Sequence, residues 1–227
     1  MNYTIDPNSE EPIMLIDKHI GFDADEGPGI MGDLFQKELF MLDGMNKKRI
    51  QVWINSAGGV VQDGWNIYNA ILRTKTKVDT YCVGMAASIA GVIFQAGRKR
   101  VMNDYGILMY HNPFGGDDKS LDAIRDSLIT MISQRSSMNA FDVSKMMNRT
   151  TWIGADEAMT MGLCDEIDQS VEMNTKRSVG THAEARLYWR ETNKAINALL
   201  PGLRSNHMNV ADNMKHIVAL KMLKLRG

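Results

Sequence analysis

Between about residue 12 and residue 170, short apolar runs alternate with stretches in which apolar residues recur every three or four positions. Strands alternating with helices in this way predict an α/β domain. The runs Ile13 to Ile16, Ile50 to Ile54 and Val78 to Val83 read as strands, the last broken by Gly84, and Arg98 to Met102 and Gly106 to Tyr110 follow as shorter ones. Met31 to Leu42 reads as a helix packing Leu34, Phe35, Leu39 and Leu42, and Gln62 to Leu72 as one offering Trp65, Ile67, Tyr68 and Ile71. Ser88 to Ala96 is apolar nearly all round, which predicts a buried helix. A long helix is expected over Ser120 to Met138, shorter ones over Val143 to Met147 and Ala155 to Met161, and a last strand over Leu163 to Ile167. The Gly27-Pro28-Gly29 segment reads as a plain loop.

Past residue 170 the pattern changes. Ser170 to Thr181 is polar and unpatterned, as a linker would be. Ala183 to Leu200 reads as a helix stopped by Pro201-Gly202, and Val210 to Leu225 as an amphipathic helix with a basic face, a docking helix rather than a membrane one. The division expected is an α/β domain over 1–170 and a linker with helical extension over 171–227.

Composition narrows the function classes. Hydrophobic residues make up 44% and charged ones 23% of 227 residues, enough for a sizeable core and too apolar for global disorder. A net charge of -1 calls for neither nucleic acid nor an anionic membrane as partner. No run approaches the ~20 apolar residues of a membrane span, and Met1 to Asp6 lacks the basic and apolar segments of a signal peptide. A cytoplasmic location is expected. Cys82 and Cys164 sit in apolar segments and read as buried thiols, and the 18 methionines as adaptable packing. The five histidines show no metal-ligand spacing, so no metal or other cofactor is expected.

Three segments carry chemistry. In Gly84-Met85-Ala86-Ala87-Ser88-Ile89 a strand end meets a small-residue turn, with Ser88 opening a buried helix. There the free backbone N–H groups and the helix dipole favour developing negative charge, and the N–H of Ile89 is placed to donate to an oxyanion. Ser is also a common N-cap, and in isolation that is the commoner explanation. Asn55-Ser56-Ala57-Gly58-Gly59 puts a glycine pair after a strand, where backbone N–H groups can approach a site closely, although most such pairs are turns. In Tyr110-His111-Asn112-Pro113-Phe114-Gly115, His111 stands at a strand end on a loop, and a Ser hydroxyl needs such a base to become a nucleophile.

In this order and at these separations, the three segments resemble the Clp proteolytic-subunit (ClpP) family of serine peptidases. That family carries an Asn-Ser-Pro-Gly-Gly-Val strip, a Gly-x-Ala-Ala-Ser turn and a Met-Ile-His-Gln-Pro segment. The likeness runs from about residue 12 to 168 and includes Gly154-Ala155-Asp156-Glu157-Ala158 and Gly162-Leu163-Cys164-Asp165. It implies an α/β fold of the ClpP/crotonase type, built of repeated ββα units with a protruding handle helix (Ser120 to Met138) and here a helical C-terminal extension. It implies Ser88 as nucleophile, His111 as general base, and the N–H groups of Gly59 and Ile89 as the oxyanion hole. Peptide-bond hydrolysis would itself be ATP-independent. Implied partners are polypeptide substrates, other copies in a homo-oligomeric ring, and an AAA+ unfoldase.

Two departures stand out. Ala57 replaces the family's Pro, which bears on turn rigidity rather than chemistry. Thr150 stands where the family has the acid of its triad; a hydroxyl can orient an imidazole but cannot stabilise the imidazolium as a carboxylate does. Asp104, Asp117 and Asp118 are the substitutes within reach of the sequence, and Asp165 reads as structural. The alternative is therefore a catalytically weakened ring or assembly protein. Asn69, Asn112 and Trp152 are more similar to phage-encoded ClpP-like head maturation proteases, which implies a prohead setting with capsid or scaffold proteins as partners.

Overall fold

The computed structural model of the chain describes residues 1–24 and 27–169. The expected linker and both tail helices lie outside the described residues.

In chain order the elements are β1 (Thr4–Ile5), β2 (Ile13–Ile16), β3 (Phe22–Asp23), β4 (Gly27–Pro28), α1 (Gly32–Gly44), β5 (Ile50–Ser56), α2 (Val61–Arg73) and β6 (Val78–Ala87). There follow α3 (Ile89–Phe94), β7 (Arg100–Asn103), β8 (Ile107–Tyr110), α4 (Asp118–Ser133), α5 (Ala140–Asn148), β9 (Thr151–Gly154), α6 (Ala155–Thr160) and β10 (Glu166–Asp168). The main sheet runs β1-β2-β5-β6-β7-β10, with β8 branching from β6 and β9 beside β8. Its interior pairs are parallel, as crossover helices require, and β1 and β9 join antiparallel. The α/β expectation holds.

Alternation builds the core. On β5, Ile50, Val52 and Ile54 are fully buried while Trp53 and Asn55 face outward, as a period of two demands. These residues share one cluster with Phe35, Leu39 and Leu42 of α1, Ile67 and Ile71 of α2, and Ile89, Ala90, Val92, Ile93 and Phe94 of α3. Each fully buried side chain of this size stabilises the fold by about 1.5–3 kcal/mol.

Several expectations are corrected. Leu34 is exposed, and Glu38 takes its place on the inner stripe of α1. A carboxylate is tolerated there because it accepts from Asn2 N–H (2.7 Å), Tyr3 N–H (3.0 Å) and the Thr4 hydroxyl (2.5 Å), tying β1 down. Gly84 does not end β6; the strand continues and changes partner, pairing β7 over Thr80–Cys82 and β8 over Met85–Ala87. The Gly27-Pro28-Gly29 segment is more than a loop, because β4 pairs β3 and Ile20 bridges both Ile30 and Gly59.

The long helix after the polar turn ends earlier than its periodicity suggests, at Ser133, since Arg135 turns inward to donate to the carbonyls of Gln95 (2.9 Å) and Gly97 (2.6 Å). Asp117 caps its start, accepting from Ser120 N–H at 3.1 Å.

Candidate active site

The three chemical segments converge because β5, β6 and β8 run parallel and all end on one side of the sheet. Ala87 pairs with Met109 in the β6–β8 register, and Ser88 N–H donates to Met109 C=O at 2.8 Å. The residue after each strand, Ser88 and His111, is thereby set side by side. This is the carboxyl-end position where α/β folds place their sites.

Ser88 has φ 55° and ψ -127°, a backbone region that L-residues rarely occupy and that costs about 1–3 kcal/mol. Its side chain makes no cap bond to α3. Instead His111 Nε2 lies 2.8 Å from Ser88 Oγ. A plain N-cap would have a relaxed extended backbone and a hydroxyl turned to the helix; Ser88 has neither.

The glycine strip lies directly against this pair. A Cβ on Gly58 (φ +103°) would come within 2.7 Å of Ser88 Cβ, and one on Gly59 (φ +150°) within 2.1 Å of Ile20 C=O. Ile20 N–H donates to Gly58 C=O and Val60 N–H to Ile20 C=O, both at 2.8 Å. The intervening Gly59 N–H is left out of these bonds. Ile89 is the first residue of α3, so its N–H has no carbonyl four residues back within the helix.

A buried polar network holds the two halves in register. Gln95, at the C-terminal end of the helix that Ser88 opens, donates to Tyr110 Oη (2.9 Å) and Leu163 C=O (3.0 Å). Tyr110 immediately precedes His111, and its hydroxyl donates to Gly91 C=O at 3.1 Å. Burial pushes the Tyr110 phenol far above its ordinary range, so it stays a neutral donor. Arg100 Nη1 reaches Gln95 Oε1 at 2.6 Å and also donates to Arg135 C=O, while its Nε and Nη2 grip Asp165 at 2.9 and 2.5 Å. Burial opposes ionisation of Asp165, but the Arg100 hydrogen bonds and charge outweigh it and hold that carboxyl below the usual range. Asp165 thus belongs to Arg100 and not to His111. Sequence reasoning missed Gln95, Arg100 and Tyr110 as site supports; the one available signal was Gln95 within the apolar run Gly91 to Ala96. Tyr110→Phe leaves Gly91 C=O without its donor, and a loss of about 1–3 kcal/mol in urea unfolding is expected.

The third-member position is not bonded to the base. Thr150 immediately precedes β9, next to the last β8–β9 pair, Tyr110↔Thr151. Its φ of 51° makes a left-handed turn and its side chain is exposed. Among the described residues, no carboxylate and no hydroxyl other than Ser88 is hydrogen-bonded to His111. Asp117 is occupied as a helix cap, and Asp104 and Asp118 are exposed. Asn112 Nδ2 donates to Asn148 Oδ1 at 2.8 Å, fastening the loop after His111 to the end of α5.

Beside the Ser–His pair is a nearly closed pocket of about 20 Å³, walled by Val61, Ile89, Val92, Leu128, Ile132 and Met147. Cys82 and Cys164 are buried free thiols, both pushed up to about 11 by burial, and stay protonated and inert at neutral pH. No cluster of three or more metal-ligating side chains occurs among the described residues, and no helix there is long and apolar enough to cross a membrane.

The family profile described as Clp protease matches residues 22–171. The ATP-dependent Clp protease proteolytic subunit of Carsonella ruddii (strain PV) is 32% identical over 149 residues, covering 60% of this chain and 77% of its own. The subunit of the same name from Porphyromonas gingivalis (strain ATCC BAA-308 / W83) is 34% identical over 157 residues, covering 63% and 69%. Among solved structures, a mutant of ClpP1 from Listeria monocytogenes superposes with a TM-score of 0.62 at 25% identity, over 69% of this chain and 90% of that one.

Proposed function

The chain belongs to the Clp protease family as a ClpP-type serine peptidase, and on that premise we propose that it cleaves peptide bonds with Ser88 as nucleophile and His111 as general base. The observation that carries this reading is the 2.8 Å contact between His111 Nε2 and the oxygen of a strained, non-capping Ser88. His111 takes the hydroxyl proton as Ser88 Oγ attacks the scissile carbonyl carbon. The oxyanion that forms is met by the N–H groups of Gly59 and Ile89, which the neighbouring backbone bonds leave free to donate. Collapse of the intermediate expels the amine, which takes the proton from His111, and water then releases the acyl group by the same steps in reverse. Reaction with a fluorophosphonate tests the reading: a stoichiometric adduct at Ser88 in the folded chain supports it, and an unlabelled Ser88 removes it.

Gly59→Ala probes the oxyanion strip separately. The added Cβ meets Ile20 C=O, so the strip must shift and the donor with it. A fall in kcat of about 10²-fold or more is expected, the usual cost of one oxyanion donor, measured on a chromogenic peptide with the melting curve as control.

The chemistry consumes no nucleotide. The relatives are named as subunits of an ATP-dependent protease, which supports a homo-oligomeric ring served by an AAA+ unfoldase here as well. A peptidase domain over 1–170 followed by a separate extension is supported by the end of the family match at residue 171. A prohead maturation role rests on Asn69, Asn112 and Trp152 alone. Its test is cleavage of a co-expressed phage scaffold protein, and an intact scaffold beside an active peptidase would remove it.

The weakened-enzyme reading has one observation in its favour, the absence of a carboxylate on His111 among the described residues. Robust turnover by the natural chain would eliminate it.

A further inference from the structure

With no acid bonded to the base among the described residues, something else must hold the imidazole, whose χ2 rotation is otherwise broad. Phe114 is three residues after His111, and the two rings lie 5.5 Å apart between centroids with their planes tilted by 32°. Phe114 is 81% exposed, so burial of its own surface does not account for where it sits. Two features put the ring there. Gly115 takes φ 85°, turning the chain back immediately after Phe114, and a Cβ built on it meets nothing within 4 Å, so the glycine answers to the turn and not to crowding. On the other side, the Asn112–Asn148 bond of 2.8 Å fixes the start of the loop.

We propose that Phe114 is a positioning residue for His111: its ring restrains the imidazole and offers a π-face to the imidazolium formed when the Ser88 proton is taken. The proposal rests on the assignment of Ser88 and His111 as nucleophile and base. An aromatic face near a cation attracts it through the ring quadrupole, an effect that an aliphatic side chain of similar size lacks. Orientation and charge stabilisation are the two services that a triad carboxylate normally supplies. Phe114 would supply the first in full and the second in part.

The test compares Phe114→Leu and Phe114→Tyr in the full chain, by peptide hydrolysis and by the rate of fluorophosphonate labelling at Ser88. Phe114→Leu is expected to lower kcat and the labelling rate about fivefold, with KM and the melting temperature little changed, and Phe114→Tyr to restore both rates. A Leu variant as fast as the natural chain, or a Tyr variant as slow as Leu, overturns the proposal. Repeating Phe114→Leu with Asp at position 150 adds a second reading. The cost should shrink once a carboxylate orients the ring, and an equal cost in both backgrounds overturns the coupling. Failure of the underlying assignment looks different: the natural chain itself would then take up no label at Ser88.

Discussion

Ser88→Ala is expected to eliminate peptide hydrolysis and all fluorophosphonate labelling, while the fold persists. The loss should approach the ~10⁶-fold seen when a serine-protease nucleophile is removed, because among the described residues no other nucleophile is hydrogen-bonded to His111. Stability should hold or fall slightly. Alanine removes the hydroxyl but keeps the strained backbone at φ 55°, so the strain remains while the polar contact to His111 Nε2 goes. His111→Ala should be nearly as damaging, since Ser88 then keeps a neutral hydroxyl with no acceptor for its proton. Intact-mass spectrometry after labelling checks both. Residual labelling of the Ser88→Ala chain at another serine would move the nucleophile elsewhere, whereas a His111→Ala chain that keeps full turnover would remove the base assignment alone.

Thr150→Asp is expected to act in the opposite direction, raising kcat by about 10²-fold and at most about 10⁴-fold, the range set by what a triad carboxylate contributes elsewhere. The position is favourable because Thr150 and His111 each adjoin the last β8–β9 pair, Tyr110↔Thr151. Backbone strain should also ease, since Asp adopts a φ near 51° more readily than a β-branched Thr. Stability should therefore not fall, which separates a gain in chemistry from a general loosening. Steady-state kinetics on one chromogenic peptide decides the matter: an unchanged kcat would mean that His111 is already held well enough, and would shift attention to Phe114 and Asn112.

Most of the architecture was legible in residue order. The alternation in Ile50 to Ile54 and the spacing of Ile67, Tyr68 and Ile71 each report which face must leave water, and burial confirms them. The errors lie where a local pattern was overruled by a distant partner. Leu34 and Glu38 exchange faces because the N-terminal backbone supplies donors to a carboxylate that hydropathy alone would expose. Gly84 reads as a strand end, yet β6 continues because β8 offers it a new edge. The last turns expected of the long helix are lost because Arg135 bonds to carbonyls at Gln95 and Gly97, about forty positions away.

For the site, residue types and their order were enough to nominate Ser88, His111 and the glycine strip, because nucleophile, base and close-approach backbone each demand particular side chains. What order alone could not decide is whether they meet. That depends on three parallel strands ending together, on the hydrogen bond between Ser88 N–H and Met109 C=O, and on a strained backbone that releases Ser88 from capping its own helix. Nor could order show what stands behind the base. Thr150 announces a missing acid in the sequence, but only the tertiary structure decides that no described carboxylate replaces it and that Phe114 lies against the imidazole. Side-chain identity is local information, whereas the environment of His111 is made by segments that are distant in the chain and close only in space.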